Sequence, residues 1–298
     1  MARTTDPDLA PHELRVLVAV ADTGGFSAAA EALGVTQSAV SHSVRGSERK
    51  IGAVLFDRAR AGARPTPAGE KAVAHARRIL RLLQVLTAEA REAARPDATR
   101  GPLRIAAFRS AALHLLPPVL ERLRARHPGI EPRVRIVREV GRGTAGEVAD
   151  GKADIAIATL GGSVPPPAGL IASGLFDEPY ALVHPEGHGD PRSLPLVDWA
   201  ENCGSYTRRW WAAQDWIPAA TVEAEDDGTV LSLVSAGHGM AIMPALSLTG
   251  APDSVAVTDL GSDRPTRRVG YVTTSELARS AVVRAFVREL RATVPQEV

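Results

Sequence analysis

The sequence predicts an α/β protein in two parts: an N-terminal winged helix-turn-helix with a long helix behind it, then a two-lobed region of alternating strands and helices. Three features carry this expectation. Two short helical patterns meet at Gly34, with Thr36 placed to cap the second. From about Ala68 to Ala94 the chain runs without Gly or Pro after Gly69. From Leu103 onward, short apolar runs alternate with amphipathic stretches, the order that builds a doubly wound sheet. A length of 298 residues suits about two domains.

The first helix is expected over residues 9–21, with Leu14, Leu17, Val18 and Ala21 on one face and a stop near Gly24-Gly25. Ser27 is placed to cap a second helix, whose Ala28–Leu33 run favours helix. In the third helix Val40 and Val44 face inward with Leu33, so Gln37, Ser38, Ser41, His42 and Arg45 share the outer face. That face offers hydrogen-bonding groups and no large apolar side chain, which suits base edges and phosphates in a major groove. Leu55-Phe56-Asp57-Arg58, with Arg60 and Arg64, then reads as a basic wing closed by Pro65 and Pro67. From His42 to Arg64 six basic residues (Arg45, Arg49, Lys50, Arg58, Arg60, Arg64) stand against two acidic ones, Glu48 and Asp57. The whole-chain charge of +1 hides this local excess, which phosphate binding needs.

Residues 12–92 resemble the DNA-binding domain and linker helix of LysR-type transcriptional regulators. Phe-Ser-x-Ala-Ala-x-x-Leu, Thr-Gln-Ser-Ala-Val-Ser, Leu-Phe-x-Arg and Thr-Pro-Ala-Gly stand in that family's order and approximate spacing. The chain departs from it at His42, where the family usually has Arg, and at Ser47, where it has Leu before Glu. Gly46 is a further oddity, a poor helix residue in the middle of a recognition helix. The resemblance implies a sequence-specific regulator of double-stranded operator or promoter DNA. Its contacts would come from Ser27, Thr36, Gln37, Ser38, Ser41, His42, Arg45, Arg58 and Arg64.

In the long helix, Ala72, Ala76, Ile79, Leu83, Leu86 and Ala90 recur at spacings of three and four. A long helix with a narrow apolar stripe either packs on a twin or lies on its own domain. The resemblance favours the first, a homodimer or a tetramer built on Ile79, Leu83 and Leu86. The expected domains are 1–67 (winged helix-turn-helix), 68–94 (dimerisation helix), 95–102 (a polar, proline-bracketed linker) and 103–298. The last divides into lobe I (103–160 and 267–298) and lobe II (161–266).

Within that region the expected strands are 103–107, 134–137, 155–158, 180–183, 195–197 and 267–273. The expected helices are 111–126, 145–150, 229–236 and 280–293. This half is similar to the family's effector domain, which has a periplasmic-binding-protein-like fold of two lobes. Leu-Leu-Pro-Pro at 115–118, Gly-Lys-Ala-Asp-Ile-Ala-Ile at 151–157 and Ser-Ala-Gly-His-Gly-Met-Ala-Ile-Met-Pro at 235–244 carry the likeness. Such folds bind ligands at the carboxyl ends of their strands, between the lobes. Arg109 and Ser110 follow the first of these strands at a helix N-terminus, where an anion is favoured. Ser110 has a plainer alternative, as the cap of that helix. The resemblance adds Gly141, Thr159, Ser205 and Thr207, and the expected ligand is a small, anionic effector.

No catalytic residue, metal site or cofactor is expected. His184 and His188 lie four apart, but Pro185 and Gly187 place them in a loop, not on one helix face. Asp226-Asp227-Gly228-Thr229 reads as a helix cap, and the Trp210, Trp211 and Trp216 group as lobe II core. No run of about 18 apolar residues suggests a membrane span. The first residues have no signal-peptide core, and the single Cys203 fits a reducing compartment, so a cytoplasmic protein is expected. The alternatives are a solute-binding protein, disfavoured by the first hundred residues, and a ligand-converting enzyme fused to a DNA-binding module, for which no constellation is visible.

Overall fold

The computed structural model describes residues 8–59, 62–94, 99–161, 169–199, 201 and 205–294, leaving aside the side chains of 58, 59, 88, 91–94, 205 and 206. The chain divides into two compact units, Met1–Ala94 with Asp150–Lys152, and Arg95–Ala149 with Ala153–Val298.

In the first unit, helix α1 spans Pro11–Thr23, with Pro at its first position and the Glu13 carboxylate accepting from the Ala10 N–H at 2.8 Å. It stops at Gly24, in the left-handed conformation. Helix α2 (Phe26–Leu33) is capped by Gly25, not by Ser27 as expected. Phe26 is drawn into the helix because its ring packs edge-on against Phe56, at 6.4 Å between centroids. Ser27 becomes the second helical residue, with its side chain exposed. Gly34 makes the left-handed turn, and α3 (Gln37–Ile51) starts with the Thr36 hydroxyl accepting from the Ala39 N–H at 3.2 Å.

Val40 and Val44 are buried with Leu17, Val20, Ala29 and Leu55 in one core. Strands β1 (Phe56–Ala59) and β2 (Gly62–Pro65) form the antiparallel wing. The family-like motifs have local reasons. Glu48 reaches from α3 to accept from the Leu55 N–H at 2.9 Å, which seats Leu55 and Phe56 in the core. Thr66 donates to Val54 O at 2.8 Å and accepts from the Gly69 N–H at 3.0 Å, opening helix α4 (Pro67–Ala94). A Cβ on Gly69 would run into the Leu55 carbonyl, so only glycine lets α4 start this close to the wing.

In the second unit, β3 (Gly101–Ala107), β4 (Ile130–Ile136) and β5 (Ile155–Leu160) are parallel, with β3 in the middle. Strand β6 is longer than expected, spanning Leu170–Pro185. Its residues 170–179 pair with the late strand β11 (Thr266–Thr274), which also pairs with β5. Residues 180–185 pair with β9 (Ala241–Pro244) and β10 (Val255–Asp259). The expected passage between lobes near 159–162 therefore lies further on, at Pro179-Tyr180. The chain comes back to β5 and the first half of β6 with β11, which starts at Thr266.

A further correction concerns residues 111–126, expected as one helix. A π-helical turn, Ala111–Leu115, precedes helix α5 (Leu116–Arg126). Pro117 and Pro118 lack the N–H groups that Leu113 and His114 would need, and the Leu116 N–H bonds back to Ala111 O instead. Helix α6 (Gly143–Ala149) packs on β5 and β11, while α9 (Ala281–Thr293) packs on α5.

Lobe II adds the parallel pair β7 (Leu196–Trp199) and β8 (Ala220–Ala224), with helices α7 (Ser205–Ala212) and α8 (Asp227–Ser235). Its strands bury both faces: Val183, Ala241 and Met243 turn one way, and Leu182, Met240 and Ile242 the other. Trp211 lies in the second cluster, with Trp210 and Trp216 packed against it.

Candidate functional site

On α3, the side chains of Gln37, Ser38, His42 and Arg45 are exposed and Ser41 is half-buried, opposite buried Val40 and Val44. Thr36 and Ser38 share a hydroxyl contact of 3.0 Å at the head of this face. Arg45 on the helix and Arg64 on the wing are exposed, and no described side chain forms an ion pair with either. Lys50 does not join them: its ammonium binds Glu13 at 2.7 Å and the Asp8 carbonyl at 2.7 Å. Burial pushes the Glu13 carboxyl up, but the Lys50 hydrogen bond, the Ala10 N–H and the Lys50 charge outweigh it and hold it below 4.5. Glu48 spends its carboxylate on the Leu55 N–H, so the basic face is not masked by it. The Arg58 side chain and Arg60 lie outside the described residues. On α4, Ile79, Leu82, Leu83 and Leu86 are exposed in one unit, a row with three-and-four spacing.

In the second unit the expected effector residues gather at the carboxyl edge of β4, β3 and β5. Arg109 and Ser110 follow β3, Gly141 lies in the left-handed conformation after β4, and Thr159 is near the end of β5. Ser110 is not a cap: its backbone is already helical, and its hydroxyl makes no cap bond. It is buried, and its oxygen accepts a long hydrogen bond from Arg267 Nη2 at 3.5 Å. Thr207 of α7 is also buried, and its hydroxyl has no hydrogen-bond partner among the described residues. The Ser205 side chain and Cys203 lie outside the described residues.

Two anion-binding features are met from within. Arg109 is not a free cation: Nη1 binds Asp227 at 2.8 Å, and Nε lies 3.8 Å from Asp226. The Thr159 N–H donates to Glu139 at 2.8 Å, and the other oxygen of that carboxylate accepts from Thr144 N–H at 2.9 Å, in the first turn of α6. An internal carboxylate thus occupies the helix end beside Gly141.

Sequence reasoning missed these acidic partners. Asp226 caps α8 as expected, accepting from Gly228 and Thr229 N–H at 2.8 and 3.0 Å. Burial raises its carboxyl, but the bonds from Thr229 and Gly228 and the Arg109 charge hold it below 3.8. Glu201 reaches from lobe II to Arg138 at 3.5 Å. Burial pushes the Glu201 carboxyl above 4.5, and the Asp227 and Glu139 charges add to this against the Glu139 N–H and Arg138. No spacing rule links residues so far apart in sequence.

Among the described residues no His, Cys, Asp and Glu group could hold a metal, and no helix is long and apolar enough to cross a membrane. His184 is buried at the end of β6, with its ring nitrogens on Pro185 O and Thr258 Oγ1.

Residues 11–70 match the family model "Bacterial regulatory helix-turn-helix protein, lysR family", and residues 96–295 match "LysR substrate binding domain". The chain is 35% identical to the probable HTH-type transcriptional regulator LrrA of Synechococcus elongatus, over 95% of this chain and 97% of that one. Among solved structures, full-length OxyR from Pseudomonas aeruginosa (a point variant) matches with a TM-score of 0.73 at 23% identity, covering 97% of this chain and 99% of that one. Full-length CbnR complexed with its target DNA matches with a TM-score of 0.65 at 21% identity, covering 96% and 100%. A helix-turn-helix whose polar face is open, joined to a two-lobed α/β domain and matched by both family models, settles the assignment: the chain belongs to the LysR family of DNA-binding transcription regulators, with an effector-binding domain.

Proposed function

We propose that the chain acts in the cytoplasm as a homodimeric regulator, not as an enzyme, and that it reads operator DNA with α3 while a small anionic effector binds between the lobes of the second unit. The observation that carries the reading is the division of α3, with Val40 and Val44 fully buried and Gln37, Ser38 and His42 exposed on the other side. Gln37, Ser38, Ser41 and His42 face base edges, with Ser27 and Thr36 beside them, while Arg45, Arg58 and Arg64 bind phosphate. Ile79, Leu83 and Leu86 on α4 cover the same row on a second copy, and pairs of dimers give a tetramer.

In the effector domain, Ser110 and Thr207 supply two buried hydroxyls, the first held by a long 3.5 Å bond from Arg267 and the second without a partner among the described residues, and a ligand oxygen would satisfy them better. Gly141 and Thr159 lie at the carboxyl edge that carries Ser110, and Ser205 opens α7, the helix of Thr207. Gel shift against DNA from upstream of the chain's own gene tests the first half of the reading. Thermal unfolding with a panel of small carboxylates tests the second, since a ligand of the folded state raises Tm with its excess over Kd. Loss of that shift when Ser110 and Thr207 are both replaced by Ala is the expected result. An undiminished shift in the double variant contradicts the placement.

A further inference from the structure

We propose that the Arg109–Asp227 ion pair is a latch holding the two lobes in their effector-free arrangement, and that an anionic effector opens it by taking the place of Asp227 on Arg109. The proposal rests on the reading that the effector binds between the lobes. It adds what the effector must displace.

Arg109 leaves β3 in lobe I, and Asp227 opens α8 in lobe II; their 2.8 Å contact joins the lobes. Asp227 is held from behind, since its second oxygen accepts from the buried Ser247 hydroxyl at 2.7 Å. Gly228 supports the same reading. Glycine costs an α-helix about 1 kcal/mol against Ala, and this one has no left-handed backbone to excuse it. A Cβ there would strike the Arg109 guanidinium, at 2.6 Å from Cζ. The first turn of α8 gives up a better helix former to seat an arginine from the other lobe.

The neighbour of Arg109 reaches lobe II by a second route, which ends beside Ser247, the residue that holds Asp227. Ser110 lies 3.5 Å from Arg267, Arg267 binds Glu178 at 2.7 Å, and Glu178 accepts from the Leu246 N–H at 2.6 Å. A ligand on Ser110 therefore arrives beside the latch. Once Arg109 turns to it, Asp226 and Asp227 of lobe II lose their counter-charge. Glu201 feels the charges of both Asp227 and Glu139, and it is paired with Arg138 of lobe I. Burial is the main cause that raises the Glu201 carboxyl, and the Asp227 and Glu139 charges add to it with the latch closed. Opening relieves like-charge repulsion, so the two arrangements differ in a way that an anion can bias.

The test needs no known effector. Full-length protein with Arg109→Gln, Asp227→Asn or Gly228→Ala is compared with wild type by amide hydrogen exchange, after CD melting confirms cooperative folding. If the latch exists, exchange in 109–116 and 226–236 rises by about tenfold or more in all three, as for loss of a charge-assisted bond. Gly228→Ala is the discriminating variant because it evicts Arg109 without changing any charge. Wild-type exchange in a folded Gly228→Ala, together with either charge variant, would overturn the latch. Sodium acetate against sodium chloride at equal ionic strength then tests displacement: it should speed exchange in wild type and not in Arg109→Gln. Equal acceleration in both, or none in wild type, overturns displacement by anions. The Tm shift with small carboxylates reads the cleft, while the resting exchange of Arg109→Gln and Gly228→Ala reads the latch without any ligand, so failure of the cleft reading and failure of the latch give different results.

Discussion

Gly46 and Gly69 are both glycines in the DNA-binding unit, yet they stand for opposite constraints. A Cβ on Gly46 would meet only Glu13 Oε1 at 3.8 Å, an ordinary contact, and its backbone is helical. Gly46→Ala should therefore stabilise the unit by roughly 0.5–1 kcal/mol, seen as a higher urea midpoint. Gly69→Ala should destabilise it, because backbone at Leu55 blocks the new methyl. Equal midpoints for the two variants would refute this distinction. Ser47, where the family has Leu, is fully buried and satisfies its hydroxyl on Ser43 O at 3.1 Å. That bond explains how a polar residue is tolerated there.

Glu13 gives a pH prediction at the same scale. Its carboxyl is lower in the folded protein than in an unfolded chain, so its contribution is present above about pH 4.5 and is lost as pH falls through the lower folded value. The stability gap between wild type and Glu13→Gln should close over that window in denaturant melts. A gap that stays constant from neutral pH to below that window would show that the Lys50 pair is not its source. His42→Arg adds a charge on the exposed face of α3, so operator binding should tighten and its log–log salt slope steepen by about one.

At the scale of elements, what the sequence makes legible is what local chemistry decides. The turn at Gly34, the Thr36 cap and the Thr-Pro-Ala-Gly start of α4 are written in residues a few positions apart, and all three stand. The misreadings share another cause. Ser27 is an acceptable cap, but the Phe26–Phe56 packing, which no local pattern shows, moves the helix start back by two residues, from Ala28 to Phe26. The first half of β6 was missed because residues 170–179 lack a continuous apolar run and become a strand only by pairing with β11, almost a hundred positions away. The π-helical turn at 111–115 follows from Pro117-Pro118, a signal that was present and unread. On α4, the exposed row Ile79, Leu82, Leu83 and Leu86 makes a prediction of its own. Leu83→Asp should give monomers by light scattering at concentrations where wild type is dimeric, with operator affinity reduced accordingly. Dimers of normal stability in that variant would move the interface elsewhere.

At the scale of the molecule, the two units divide the task of a ligand-responsive regulator. The first presents a polar helix face and exposed arginines, and the second brings the buried Ser110 hydroxyl and the paired Arg109 to the carboxyl edge of a sheet. Strand order alone predicts that Arg109, Ser110, Gly141 and Thr159 gather at one edge of the sheet, as they do. The chemistry of that edge was not legible, because Arg109, which reads as a free cation in sequence, is committed to Asp227 across 118 positions. The central claim is that α3 reads a specific operator. DNase I footprinting of the chain's own upstream region tests it most directly, with wild type, Gln37→Ala and Arg64→Ala compared at two salt concentrations. A roughly two-fold symmetric protected site is predicted, lost selectively against non-specific DNA in Gln37→Ala and weakened on all DNA, with a shallower salt slope, in Arg64→Ala. Protection that survives Gln37→Ala with its sequence preference intact, or no protection at low salt, would contradict it.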